Sequence, residues 1–250
     1  MGLKGLSGKT AIVTGGGGGI GSATTRRLIE EGCKVAVVDI NEDVIKRAFP
    51  APNKDTLLAI GADVSTEQGC AHYVKATVER FGGVDLFFNN AGIMGQRELL
   101  VDMKAEDFDR VMSVNLRGVF LGLREVMRQM IAQKRGGAIV NTASAGALRP
   151  NMKSAAYGVS KRGVIGLTQV AALENGVNNI RVNAICPGAT DTPLIAPTPG
   201  ADWKGATAKL PIARVANPSE MADLVAYLLS DEASYQTGGV YVADGGLMLT

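Results

Sequence analysis

Seven short apolar runs recur along the chain: Thr10–Val13, Lys34–Val38, Thr56–Ile60, Val84–Phe88, Ala138–Val140, Ile180–Ile185 and Val240–Val242. They are rich in Val and Ile and lack the polar alternation of a strand with one wet face. Such runs suit strands buried on both sides of a parallel sheet. Between them lie stretches with helical spacing: Gly19–Glu31, Thr66–Phe81, Glu106–Lys134 (two helices or one bent one), Ala156–Gly176 and Pro218–Leu229. Ser65 with Gln68 reads as a capping box for the second stretch, and Asn217, Pro218 and Glu220 mark the start of the last. Strand alternating with helix implies right-handed crossovers. The expected fold class is α/β: a single domain over residues 1–250, with a doubly wound, seven-stranded parallel sheet and helices on both faces. Neither pattern holds across Ala189–Pro211, where Pro193, Pro197, Pro199 and Pro211 interrupt the chain. A loop that long in a compact domain is usually functional, so 189–211 is expected to be a substrate lid.

The first strand runs into Thr14-Gly-Gly-Gly-Gly-Gly-Ile-Gly21. Glycines let the backbone turn sharply and approach a pyrophosphate, and the helix that follows offers free N–H groups and the positive end of its dipole. Gly15, Gly17, Gly18, Gly19, Ile20 and Gly21 are therefore expected to cradle a dinucleotide. Asp39 ends the second strand about twenty residues on, where a carboxylate accepts hydrogen bonds from the adenosine ribose hydroxyls and repels a 2′-phosphate. Ile40 and Asn41 follow it, with no immediate Arg or Lys. NAD is expected over NADP, although Arg26 and Arg27 on the first helix are candidates to lie near.

Tyr157 and Lys161 are four residues apart in a helical stretch and so share one face. Ser144 lies in a turn that ends a buried strand, at the sheet edge where open α/β folds bind ligands. A free tyrosine has a pKa near 10 and is a poor base at neutral pH. Lowering it by about three units takes on the order of 4 kcal/mol, which a cation ~4 Å away at an effective dielectric of about 20 supplies. Lys161 is expected to provide that charge, and Ser144 to hold a substrate oxygen beside the phenol.

Thr14-Gly-x-x-x-Gly-x-Gly21, Asn89-Asn-Ala-Gly92, Asn115, Ser144, Tyr157-x-x-x-Lys161 and Pro187-Gly188 stand in one order along nearly the whole chain. Together they resemble the short-chain dehydrogenase/reductase family, whose fold is a Rossmann sheet. The resemblance implies further roles. Asp63 and Val64 would hold the adenine. Asn90, Ala91 and Gly92 would line the cofactor cleft. Asn115 would kink the long helix and hold a water that drains protons from Lys161. Pro187, Gly188, Thr190 and Thr192 would contact the nicotinamide end, and Lys161 its ribose. It also implies a homotetramer built through the helices of Glu106–Lys134 and Ala156–Gly176 and through the C-terminal segment. The three residues between Gly15 and Gly19 depart from the family in being all glycine, and the missing basic side chain again favours NAD.

Composition narrows the rest. Net charge is +2 with basic and acidic residues interleaved, so no nucleic-acid footprint is expected. Three widely spaced cysteines form no Cys-x-x-Cys pair, which argues against a metal site and for a reducing compartment. The start lacks the apolar region of a secretory signal, and no apolar run is long enough to span a bilayer, so a cytoplasmic protein without a membrane partner is expected. The expected function is NAD-dependent hydride transfer to or from a small secondary alcohol or ketone. The alternatives are NADP-dependent reduction of a 3-oxoacyl thioester on an acyl carrier, dehydration or epimerisation, and a non-catalytic cofactor-binding protein. His72 and Trp203 are expected to serve surface and packing roles before catalytic ones, and Met94, Leu148 and Met152 to line an apolar pocket or the core.

Overall fold

The computed structural model describes residues 2–195, 205 and 207–250. Seven strands form one parallel sheet: β1 (Thr10–Thr14), β2 (Lys34–Asp39), β3 (Leu57–Gly61), β4 (Leu86–Asn89), β5 (Gly137–Thr142), β6 (Ile180–Pro187) and β7 (Val240–Ala243). Their order across the sheet is β3-β2-β1-β4-β5-β6-β7, and every pairing is parallel. The order reverses between β1 and β4, and it is at such a switch point, beyond the carboxyl ends of the strands, that open α/β sheets bind ligands.

Each central strand feeds two cores because successive side chains point to opposite faces. Ile12 joins the cluster under α3 (Glu67–Phe81), α5 (Gly118–Gln133) and α6 (Ala155–Asn175). Its neighbours Ala11 and Val13 join the cluster under α1 (Gly19–Glu30), α2 (Glu42–Ala48) and α7 (Pro218–Leu229). This two-sided burial is what the unbroken apolar runs require.

Four details differ from the sequence reading. Thr66, not Ser65, caps α3 by accepting from Gly69 N, because Ser65 is held back by Asp63. The helix α2 carried no periodic signal; it is one short polar element capped by Asn41. The last strand is not doubly buried: β7 is an edge strand, half exposed, with Val242 open to solvent. The long stretch at 106–134 is α4 (Ala105–Met112) and α5 joined without a break by one wide π-turn, Ser113–Arg117, in which Gly118 N bonds to Ser113 O five residues back. That turn carries Asn115 fully inward.

Candidate active site

The phosphate loop leaves β1 with Gly15 at φ +62°. A Cβ on Gly21 would stand 2.1 Å from the Gly15 carbonyl oxygen, so only glycine lets the first turn of α1 close over the strand end. The N-terminus of α1 has no side-chain cap and no acidic residue in its first turn. Its N–H groups and positive dipole end are therefore available to an anion. Ile20 packs its side chain against the core, leaving its backbone to face that position.

Asp39 sits where the sequence reading put it. Its Oδ2 accepts from Gly17 N at 3.1 Å and its Oδ1 from Ile40 N at 2.9 Å, while Ile40 is exposed beside it. The two helix arginines are engaged elsewhere. Arg26 donates to the Ala48 carbonyl and lies over the Phe49 ring at 4.7 Å; Arg27 pairs with Glu31 and Asp223. Asp63 spends one oxygen on the Ser65 N–H and hydroxyl, and Val64 packs against the core.

The switch-point strands are tied together at their ends. Thr14 Oγ1 accepts from Asn90 N at 2.9 Å and Ala91 N at 3.1 Å. Asn90 Nδ2 donates to the Thr14 carbonyl at 3.0 Å, and Thr142 donates to Asn90 Oδ1 at 3.1 Å. Gly92 follows, where a Cβ would lie 3.2 Å from both Asn115 Oδ1 and Lys161 Nζ. Asn115 holds the Ile93 peptide by both groups, its Oδ1 accepting from Ile93 N at 2.8 Å and its Nδ2 donating to Ile93 O at 2.9 Å.

Ser144, Tyr157 and Lys161 do come together. Ser144 Oγ accepts from Gly146 N at 3.1 Å, and its side chain stands close enough to the Tyr157 phenol to pull its pKa down. Lys161 is 2% exposed and donates to the Thr142 carbonyl at 2.8 Å. Burial brings its pKa down to about 8. The expected lowering of the Tyr157 pKa by Lys161 is corrected here. Burial pushes the phenol up, Ser144 pulls it down, and Nζ lies 5.9 Å from the ring centroid. Desolvation disfavours the phenolate more than the available groups stabilise it.

On the far side, Pro187 ends β6 and Gly188 N donates to Ala243 O at 2.9 Å. A Cβ on Gly188 would meet Asp244 Cα at 2.6 Å. Thr190 is buried and bonded to the Gly188 carbonyl. Thr192 is nearly buried and faces Gly19, whose added Cβ would sit 2.9 Å from Thr192 Cγ2. The start of the expected lid thus rests on the phosphate loop. Pro197, Pro199 and Trp203 lie outside the described residues. His72 is exposed on α3, Leu148 packs against the core, and Met152 is exposed.

Two site neighbours escaped the sequence reading. Cys186, fully buried, interacts with both Tyr157 and Lys161, and burial raises its thiol pKa. Ser160 is also fully buried, between Tyr157 and Lys161 in sequence. The only signal for either was proximity to a motif. Among the described residues, no group of His, Cys, Asp and Glu is arranged to hold a metal ion, and no helix is long and apolar enough to cross a membrane.

Comparison with known proteins agrees with this fold. A family model described as enoyl-(acyl carrier protein) reductase matches residues 15–248. Levodione reductase of Leifsonia aquatica is 41% identical, over 95% of this chain and 93% of the relative. Cyclohexanol dehydrogenase of an Acinetobacter species is 39% identical, over 95% and 94%. The crystal structure of a 3-ketoacyl-(acyl-carrier-protein) reductase from Brucella melitensis, complexed with NADH, superposes with a TM-score of 0.89 at 35% identity, covering 96% of this chain and 98% of the other.

Proposed function

The chain belongs to the short-chain dehydrogenase/reductase family, and from that premise we propose that it is an NAD-dependent oxidoreductase interconverting a small secondary alcohol and its ketone. The observation that carries this reading is the Tyr157 phenol beside the Ser144 side chain, one helical turn from the buried Lys161 that hangs from the end of β5. Relatives whose names specify a cyclohexanol and a dione support the substrate class.

The residues fit a dinucleotide. The uncapped start of α1 and the glycine cradle of Gly15, Gly17–Gly19 and Gly21 suit a pyrophosphate, and the Asp39 carboxylate beside that loop suits ribose hydroxyls. Asp63 and Val64 would bound the adenine; Asn90–Gly92, Pro187, Gly188, Thr190 and Thr192 would bound the nicotinamide end, with Lys161 at its ribose. The dinucleotide, when bound, supplies the hydride donor or acceptor. NAD is favoured over NADP because Asp39 stands at the strand tip while Arg26 and Arg27 are engaged elsewhere.

Within that frame Tyr157 exchanges the proton with the substrate oxygen. Burial keeps the phenol neutral, as a donor to a ketone must be. Ser144 Oγ accepts from Gly146 N, leaving its own hydrogen for an oxygen beside the phenol. Lys161 supplies positive charge below about pH 8, and Asn115 borders Gly92 with it, where a water held at the π-turn would drain its protons. Residues 189–211 would form the lid, hinged where Thr192 meets Gly19.

A homotetramer through α5 and α6 is part of this reading. Their outer faces expose Phe120, Ile131, Val170 and Leu173, and an almost wholly apolar groove of about 680 Å³ runs past Leu116, Phe120, Gly163 and Leu167. Three free, buried cysteines suit a reducing cytoplasm.

A second reading, reduction of a 3-oxoacyl thioester, is favoured by the likeness to the Brucella structure, whose name specifies a 3-ketoacyl-(acyl-carrier-protein) substrate. One panel separates the two: cyclic and linear secondary alcohols, their ketones and a 3-oxoacyl thioester, each with NAD(H) and NADP(H). Turnover of ketones and alcohols with NAD(H) is expected. Turnover confined to the thioester with NADPH would replace this proposal with the second reading.

A further inference from the structure

Ser160 lies between the two reacting side chains of α6 and is fully buried. Its Oγ donates to the Tyr157 carbonyl at 2.7 Å and accepts from Asn115 Nδ2 at 3.2 Å. A serine hydroxyl has one hydrogen, so these two bonds divide cleanly into one given and one received. Asn115 is committed to the same degree. Its two amide hydrogens go to the Ile93 carbonyl and Ser160 Oγ, and its Oδ1 takes the Ile93 N–H. That side chain has no hydrogen left to give a substrate. It is a strut running from the segment after β4, through the π-turn, to the first turns of α6.

We propose that Ser160 is a positioning residue: its hydroxyl fastens the Asn115 strut to the Tyr157 backbone, so that the phenol, Lys161 and the π-turn move as one body. This inference rests on the catalytic reading of Tyr157 given above. The bland account is a helical serine bonding back to its own helix, a habit that slightly disfavours the helix. That account explains the 2.7 Å bond to Tyr157 O and leaves out the one from Asn115, which crosses 45 residues of sequence. Alanine at 160 would leave an Asn115 hydrogen buried without its acceptor, while favouring α6 through better helix propensity. The fold is therefore expected to survive the change, and the alignment of the site is expected to loosen.

The test uses the full-length Ser160→Ala protein. Misplacement of a reacting group lowers the rate of the chemical step, so kcat for alcohol oxidation is expected to fall about tenfold with the NAD KM unchanged. The pKa governing the rise of kcat with pH is expected to change, because burial and hydrogen bonding set it and both depend on where the phenol is held. Without substrate or cofactor, amide hydrogen exchange in 113–117 and in 155–161 is expected to accelerate together, with exchange in β1 and β2 unaltered. Wild-type exchange in both segments, or a kinetic pKa that stays put, overturns the proposal. Tyr157→Phe is measured alongside. Undiminished turnover there would overturn the catalytic reading, while the exchange result still decides whether Ser160 couples the two segments.

Discussion

Lys161 Nζ donates to the carbonyl of Thr142 at 2.8 Å, so the buried cation hangs from the last residue of β5 while standing 5.9 Å from the centre of the Tyr157 ring. One polar contact is little compensation for an ammonium that is 2% exposed. Burial accordingly brings its pKa from 10.5 to about 8.

The sign of the pH effect follows. Below about 8 the amine is charged in both the folded and unfolded chains, and the folded state carries the whole cost of burying it. Between about 8 and 10.5 the unfolded chain still holds a proton that the folded chain has released, so this group's contribution to stability rises with pH through that window. The difference in unfolding free energy between Lys161→Met and the parent protein is expected to change by on the order of 3 kcal/mol from pH 7.5 to 10.5, in favour of the parent. Urea titrations of both proteins without cofactor check it. A pH-independent difference would contradict the depressed pKa.

Tyr157→Phe removes the acid/base hydroxyl and leaves the ring. Loss of a general acid or base typically costs about 10²–10⁴-fold in rate, and a loss in that range is expected in kcat with NAD binding preserved. Initial rates of ketone reduction, with cofactor affinity read by fluorescence titration, distinguish a lost proton donor from a lost site.

Asp39→Ser should relax the cofactor preference. The carboxylate that accepts from Gly17 N would no longer repel a 2′-phosphate. The ratio of kcat/KM for NAD over NADP is expected to fall by about tenfold or more, since one charge–charge interaction of ~1.4 kcal/mol already amounts to that factor. An unchanged ratio would remove Asp39 from cofactor selection.

Gly21→Ala places a methyl group 2.1 Å from the Gly15 carbonyl oxygen, a contact that neither backbone can accept in place. The phosphate loop must shift, and NAD affinity is expected to fall at least about tenfold, the equivalent of ~1.4 kcal/mol. Isothermal titration of NAD against the variant gives the answer, with circular dichroism to verify that the sheet remains.

Phe120→Glu puts a charge into the apolar groove between α5 and α6. Light scattering should find the parent near four times 26.0 kDa and the variant at a smaller multiple. A variant that keeps the parent's mass would direct the search for the interface elsewhere, because a carboxylate in place of the ring removes apolar area from the groove and costs desolvation there.

Much of this was readable in one dimension. The seven Val- and Ile-rich runs became the seven strands, and in the central ones burial on both faces leaves no polar alternation to find. The glycine loop, Asp39 and Ser144 lie on the carboxyl side of the sheet because each stands just after, or at the end of, a strand that the fold aligns, and Lys161 on α6 reaches that side through its bond to the last residue of β5. What stayed hidden depends on neighbours distant in sequence. The α2 helix is short, polar and without period. Ser160 looks like any helical serine until Asn115 arrives from 45 residues away. The charge state of the site could not be inferred either: residue type suggested that Lys161 would acidify Tyr157, whereas burial raises the phenol and lowers the amine. Local pattern determines which segments become strands and helices, since that rests on side-chain period and volume. Only the packed structure decides desolvation and hydrogen-bond partners, since both are sums over atoms that the chain brings together by folding.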